Sequence, residues 1–375
     1  MSNSLITPSI VAREALMILE NNLVAANLFH RGHTSDFTGA KVGDTITVRG
    51  PAAFTAQEFT TTTTTQDITE SSVSLQLEKH FDVTVGVTSK EWTLSLDAFR
   101  QRVINPAMAA IAQKVDAYVL GKAIRIPHLS GTAGDPPDSL ADLVAIDKEL
   151  NDQKVPTANR IAIINSQAKN DILANVTQVL QADQRGDGGN ALTRAQIGNI
   201  LGISWYMDQN VQSYTAGSLT GSPLINSASV AVGDTTVAMD AGTLTGDINE
   251  GDIFTVAGDT QEYVVTADAT ASGNALASVA FYPAAKVAWA DNAAVTFTQS
   301  SHAMNIAGDP RGLTLAVVPL ELPAGAARAE YIADRGLGIR VVYDYSASTK
   351  TDTISFDVLC GAAIQDGELL NRVMG

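Results

Sequence analysis

Apolar positions along this chain follow two periods, and the changes between them mark out its parts. Between Ser95 and Ile126, Leu96, Phe99, Val103, Ala107, Ala110, Ile111, Val115 and Tyr118 recur at steps of three and four. That spacing puts them on one side of a helix. Ser95 suits the N-cap and Asp97 the first turn. At about 1.5 Å per residue the run would span about 45 Å, longer than most globular helices. Arg100 and Lys114 project close to the apolar stripe, and Pro106, lacking an amide hydrogen, is expected to kink or restart the helix after Asn105. The stretch reads either as an ordinary kinked surface helix or as a rigid strut too long for one compact domain. A second helical pattern opens the chain. Thr7-Pro8-Ser9 reads as a helix start, and Ile10, Val11, Leu16, Ile18, Leu19, Leu23 and Leu28 give an amphipathic helix ending near Asn27. It reads equally as a domain's edge or as an arm that docks on a neighbour. The polar stretch from Arg31 to Gly39 is a loop.

Alternation replaces the helical period over residues 41–90. Val42 to Pro51 has strand character and stops at Gly50-Pro51. Val73, Leu75 and Leu77 alternate with polar residues, as do Phe81, Val83, Val85 and Val87. Between them the six threonines at 60–65 favour strand without supplying a hydrophobic face. The whole predicts an extended hairpin, a thin ribbon that is marginal in isolation and needs a surface to lie on, such as another subunit. Beyond the loop at 130–139, Asp138 or Ser139 caps a helix over 140–153, Arg160 to Asn165 reads as a buried strand, and Ser166 caps a helix to about Val176. After a loop at 182–190, a further strand is predicted from Ile203 to Asp208, so this region is mixed α/β. From Thr220 to Ser300 short strand signals recur between Gly-Asp turns, predicting a small all-β module of five to seven strands set inside the mixed part. Strands resume at 313–323, 338–348 and 352–364, and the tail Gly367 to Gly375 reads as a final strand or turn.

Composition narrows the function classes. A chain of 375 residues suggests two or three domains. Charged residues make up only 17% against 45% apolar, with 29 glycines, which suits a chain keeping much surface for protein contacts. The net charge of −16 argues against a general nucleic-acid or anionic-membrane binder. The β module carries nine acids and one base, Lys286. Cys360 is the sole cysteine, so no intrachain disulfide forms, and it reads as a small buried hydrophobe. The N-terminal segment lacks the pattern of a secretory signal, and no apolar run approaches the roughly 20 residues of a membrane span.

Candidate chemistry is sparse. His30, His33 and Asp36 lack a closed four-ligand pattern and read as a polar loop. Gly336 and Gly338 mimic half a dinucleotide fingerprint but read as a turn. The tripeptide Arg185-Gly186-Asp187 in a glycine-rich loop reads as chance rather than adhesion. Asp247, Glu250 and Asp252 fall in one turn region, where a cation is the minor reading against solvated turns or salt-bridge partners, because the helix-flanked calcium loop is absent. No catalytic triad is legible, and no catalytic, cofactor or metal site is expected.

Several phrases, in their order, resemble a known family. They are ITPSIVAREALMILENNLV at the start, VGDTITVRGP at 42–51, FDVTVGVTSKEWTLSLDAF before the long helix, IGNILGISWYMDQNV at 197–211 and FDVLCGAAIQDGELLNRV at 356–373. The chain is similar to the major coat proteins of tailed bacteriophages with the Hong Kong 97 fold, most closely the P-twenty-two-like podovirus branch. The resemblance implies an α+β fold with residues 1–40 as N-terminal arm and 41–90 as extended loop and strand. It makes 91–135 the peripheral domain with its spine helix, 136–219 the axial domain, 220–300 an inserted β-rich domain, and 301–375 the return to the axial and peripheral parts. It also implies a non-enzymatic homo-oligomer of pentamers and hexamers, closing an icosahedral shell around double-stranded DNA without binding it specifically. A scaffolding protein during assembly, a portal at one vertex, assembly in the host bacterial cytoplasm, a location in the virion capsid and no membrane follow from the same resemblance. Some relatives crosslink subunits through a lysine on the extended loop; residues 42–78 contain none, so that route is disfavoured here. Non-covalent anchors are expected at Phe29, Phe54, Phe59 and Trp92, and Arg100 and Lys114 become candidates for contacts to acids in the sheet or a neighbour. The rival readings are a surface adhesin built on the β module and, more remotely, a mixed α/β enzyme.

Overall fold

The computed structural model describes residues 8–33, 37, 45–50, 56, 58–59, 72–88, 103–176, 194–195, 197–226, 229–318, 320–325 and 328–375. The chain forms two compact units, the first comprising Met1–Asp116 with Leu313–Asp366 and the second Ala117–Gly312 with Gly367–Gly375. Among the described residues no helix is long and apolar enough to cross a membrane.

In the first unit, strands β1 (Thr45–Arg49) and β2 (Ser72–Gln76) pair antiparallel, Thr45 facing Gln76 and Arg49 facing Ser72. The ribbon is therefore closed by the strands at 45–49 and 72–76. Strand β3 (Lys79–Thr88), the third alternating run, leaves the ribbon and joins a sheet with β4 (Leu313–Val318), β5 (Arg328–Asp334), β6 (Leu337–Ser346) and β7 (Thr351–Ile364). β7 is the hub of that sheet, pairing antiparallel with β3, β4 and β6. β5 escaped the sequence reading because every position is exposed or half-exposed and only Tyr331 and Ile332 among its residues are large and uncharged. The turn between β5 and β6 consists of Arg335 (φ 48°) and Gly336 (φ 75°), the left-handed pair that a two-residue hairpin demands. The two glycines taken from a nucleotide fingerprint are thus a hairpin turn and its flank.

The opening helix α1 (Pro8–Asn22) stops earlier than expected, and a separate helical turn follows at Ala25–Leu28. Asp116, buried in the long helix, causes the interruption: its carboxylate accepts hydrogen bonds from the Val24 and Ala26 amides at 2.8 and 2.9 Å. Val11, Ala12, Ala15, Leu16 and Leu19 are buried where α1 packs on β5 and β6.

The predicted start of the long helix, from Ser95 to Arg102, lies outside the described residues. A π-helical turn at Val103–Ile104 leads into α2 (Asn105–Gly121), which tightens into a 3-10 turn at Lys122–Arg125. Pro106 sits in the first turn of α2, where its missing N–H costs no intrahelical bond. The buried stripe runs through Ala107, Met108, Ile111, Ala112, Val115 and Val119, whereas Ala110, assigned to the apolar side from sequence, is exposed.

In the second unit, α3 (Leu140–Asp152) begins with a capping box. The Asp142 amide donates to Ser139 Oγ, and the Asp142 carboxylate accepts from the Ser139 amide. Asn165, rather than Ser166, caps α4 (Ser166–Asn175) by accepting from the Ala168 amide at 2.8 Å. Leu143, Ile146, Leu150 and Ile172 from these helices pack on Ile164, Trp205 and Val373 of a mixed sheet. That sheet runs in the order 129–130, 370–374, 302–308, 161–164, 203–207, 198–200. The tail thus becomes an interior strand next to the sheet's edge, buried at every position from Leu370 to Met374. Over 224–298 a six-stranded antiparallel sheet with two accessory strand pairs carries its own core. Phe254, Tyr263, Phe281 and Trp289 meet there with ring centroids 4.9–6.3 Å apart. Edge-to-face packing of this kind gives the module a dense centre despite its small residues.

Candidate assembly elements and a buried polar junction

The ribbon is two-sided. Thr45, Ile46 and Val73 are not fully buried, but Val48 and Leu75 are, and they pack with Ala316 of β4, flanked by Ile46, Leu77 and Ala363. The root of the ribbon therefore rests on its own subunit's sheet, where the sequence left open what it would lie on. Close approach requires Gly361 in β7: a Cβ there would stand 2.0 Å from the Gln76 carbonyl oxygen. Ser72, Ser74 and Gln76 face outward and are exposed.

The expected anchors divide. Phe59 exposes 68% of its surface, an unusual position for a phenyl ring. Phe29 is only 3% exposed and contributes to the core of its own unit, because the chain after the Ala25–Leu28 turn is tied to β4 by His30. Its burial removes it from the exposed anchors. Lys114 is exposed on α2. Phe54, Trp92 and Arg100, together with Asp36 and the tripeptide at 185–187, lie outside the described residues. The His30 and His33 rings do meet, edge to face at 5.5 Å. Cys360 is buried in β7 as a small hydrophobe would be.

The second unit contains a polar junction that no local motif announced. Arg372, 1% exposed on the last strand, donates from Nη2 to the Gly251 carbonyl at 2.8 Å and from Nη1 to the Ile124 carbonyl at 3.3 Å. Its guanidinium lies over the Tyr214 ring at 5.2 Å. Burial lowers its pKa to about 10, while Tyr214, Asp252 and Glu262 oppose that, so it stays charged near neutrality. Asp252, fully buried, accepts from Tyr214 Oη at 2.7 Å, from the Asn249 amide at 2.9 Å and from Gln299 Nε2 at 2.8 Å. Burial and that bond to Asp252 push the Tyr214 phenol up. Glu250 instead pairs with Arg125 at 2.6 Å. Asp252 and Glu250 are thus committed to protein partners, and the turn holding Asp247, Glu250 and Asp252 is a structural one.

His302 flanks this junction. Its Nδ1 lies 2.6 Å from the Ser300 carbonyl, and its buried Nε2 has no partner among the described residues. Burial lowers its pKa from 6.5 to about 4, the Ser300 bond opposes this, and the Arg372 charge adds to it. The unfolded chain therefore binds this proton more readily between pH 6.5 and about 4. The associated stability is complete above that window and is lost as pH falls through it, by about 2 kcal/mol after allowing for partial solvent screening. Urea midpoints at neutral and mildly acid pH check this: His302→Gln should lose less stability on acidification than the parent. Equal losses would remove His302 as a source of the acid sensitivity.

A third polar group lies close by. His128 Nδ1 is 3.9 Å from both Glu149 Oε1 and Glu262 Oε2. Burial lowers the imidazole to about 4 and raises Glu262 to about 7.

No protein-family model and no curated protein sequence matches this chain. Solved structures do match. A structure from Mycobacterium phage Che8 superposes with a TM-score of 0.53 at 14% identity, covering 94% of this chain and 90% of that one. The capsid structure of the cyanophage P-SCSP1u gives 0.48 at 10% identity over 88% and 83%. The mature capsid of bacteriophage PhiM1 gives 0.46 at 9% identity over 88% and 82%. The chain shares its fold with the Che8 phage structure.

Proposed function

We propose that this chain is the major capsid protein of a tailed bacteriophage, of the Hong Kong 97 fold and the P-twenty-two-like branch. Copies assemble as pentamers and hexamers into the icosahedral shell of the virion, around double-stranded DNA. The carrying observation is the shared fold with the Che8 phage structure, which extends over 94% of this chain. The ribbon supports it: a two-stranded element with one small docked root and an exposed outer face is suited to reach a neighbouring subunit. The net charge of −16 suits a shell that encloses DNA without gripping it, since each cation on a phosphate would add affinity. In this reading residues 1–40 are the arm, 41–90 the extended loop and strand, 91–135 the peripheral part with its spine, 136–219 the axial part, 220–300 an inserted domain and 301–375 the return. A scaffolding protein guides assembly in the host cytoplasm and a portal occupies one vertex.

Light scattering and electron microscopy of the purified chain, alone and with its scaffolding protein, test the reading. Shells or rings of five and six are expected; a monomer that never assembles would sink it. Phe59 gives a sharper check. Phe59→Ser should leave the unfolding midpoint of the dispersed chain unchanged, since the ring is exposed. It should raise the concentration needed for assembly about 30-fold, the effect of losing roughly 2 kcal/mol at an interface anchor. An unchanged assembly threshold, read by sedimentation, would remove Phe59 from the interface.

A further inference from the structure

His128, Glu149 and Glu262 converge in the second unit from three separate segments: the chain just after the 3-10 turn, helix α3, and the approach to strand Tyr263–Val265 of the β-rich module. We propose that these three side chains bind a divalent transition-metal ion of the zinc type, and that the ion pins the β-rich module to the helical body.

The geometry carries the assignment. The three ligand atoms all lie within 4.8 Å of one another, and Nδ1 stands 3.9 Å from each carboxylate oxygen. That distance is too long for a hydrogen bond, so the groups face each other without bonding directly. Two ligands held about 2.1 Å from a tetrahedral ion stand about 3.4 Å apart, so the gap is one that an ion fills with a small inward movement. Both carboxylate side chains are about one-third exposed, which leaves room for it. The imidazole is nine-tenths buried, with Nδ1 toward the two carboxylates, and its buried Nε2 has no hydrogen-bond partner among the described residues. The same two oxygens are each held by one donor: Glu262 Oε2 accepts from the Leu129 amide at 3.1 Å, and Glu149 Oε1 accepts from Gln153 Nε2 at 2.7 Å, which leaves each a further lone pair for an ion. These bonds hold the carboxylates in orientation before an ion arrives. Lys286 pairs with Glu368, Arg125 with Glu250 and Lys148 with Asp152, and Arg372, whose charge acts on Glu262, is hydrogen-bonded to the Gly251 and Ile124 carbonyls, so among the described residues no lysine or arginine forms a direct ion pair with Glu149 or Glu262. One imidazole and two carboxylates with an open fourth position suit Zn2+, and the nitrogen ligand disfavours Mg2+ and Ca2+.

The site does not depend on the capsid reading, so it is tested on the dispersed, tag-free full chain. The protein is stripped with EDTA and titrated with Zn2+ by calorimetry at neutral pH, with thermal unfolding alongside. One Zn2+ per chain is expected, with a rise in the unfolding midpoint. Glu149→Gln and His128→Asn should each weaken binding by roughly 100-fold. Glu149 lies at the partly exposed rim, so its variant should retain the parent's unfolding midpoint in EDTA, which keeps the test valid if His128→Asn fails to fold. A His30→Ala/His33→Ala variant should bind Zn2+ as the parent does. The proposal fails if no saturable binding is seen below about 100 µM, if Glu149→Gln binds like the parent, or if the site is lost with His30 and His33.

Discussion

Arg372→Ala is expected to destabilise the second unit by about 3–5 kcal/mol, enough to leave much of the chain insoluble. The reason is what the guanidinium leaves behind. The buried Gly251 carbonyl and the half-buried Ile124 carbonyl lose their donors, and the buried Asp252 loses a nearby cation. Each unsatisfied buried group costs about 1–3 kcal/mol, and the truncated side chain adds a cavity beside Tyr214. No other side chain can take over, because the space is shaped by backbone. Gly251 has φ +98°, and a Cβ there would stand 2.4 Å from Ile124 Cγ1. The close approach of the module turn to the Ile124 segment is thus bridged by one arginine. Arg372→Met separates charge from volume. It refills most of the space, so if it recovers nothing, the unpaired polar groups dominate; if it matches the parent, packing does. Urea unfolding followed through Trp205 and Trp289, both in this unit, gives the measurement. A loss under about 1 kcal/mol for Arg372→Ala would show that the junction is solvated in solution.

Arg372 also marks the limit of what one-dimensional patterns reveal. In Leu370-Asn371-Arg372-Val373-Met374 it resembles an exposed residue on a half-buried strand, because a lone cation is almost always placed in water. Only its distant partners, around Ile124 and Gly251, make its burial tolerable. The zinc-type cluster is hidden for the same reason, since Glu149 and Glu262 have no local relation to His128. Local signals fared better where their cause is local. The alternation of Phe81, Val83, Val85 and Val87 does form a strand, with Asp82 and Thr84 outward. Ser139 does cap its helix, and Pro106 lies in the first turn of α2. Pairing was not legible. The stretch 41–90 reads as one extended hairpin, yet only its runs at 45–49 and 72–76 pair with each other, and the run at 79–88 pairs with β7. Both choices are made by which face finds an apolar partner, which no single strand records.

Gly361→Ala is expected to lift the ribbon from its sheet and abolish regular assembly while leaving the sheet folded. The new methyl would meet the Gln76 carbonyl oxygen at 2.0 Å, its carbon at 2.8 Å and Leu77 Cα at 3.1 Å. All three are backbone, so no side-chain rotation relieves the clash, and either β2 or β7 must move. β7 is held by β3, β4 and β6, whereas among the described residues β2 pairs with β1 alone. The ribbon therefore yields, and the contacts of Val48 and Leu75 with Ala316 open with it. Overpacking of this kind costs about 1–3 kcal/mol. The cost falls on a small core, so amide exchange at 45–49 and 72–76 should rise by roughly 10- to 100-fold while β6 and β7 keep their protection. Gly338→Ala is the control, because a Cβ there meets its nearest neighbour, Ala333 Cβ, at an ordinary 3.6 Å. Electron microscopy should then show uniform particles for Gly338→Ala and aberrant or absent ones for Gly361→Ala. Normal particles from Gly361→Ala, with normal exchange in the ribbon, would mean that its docked root does not set the position from which the loop reaches its neighbour.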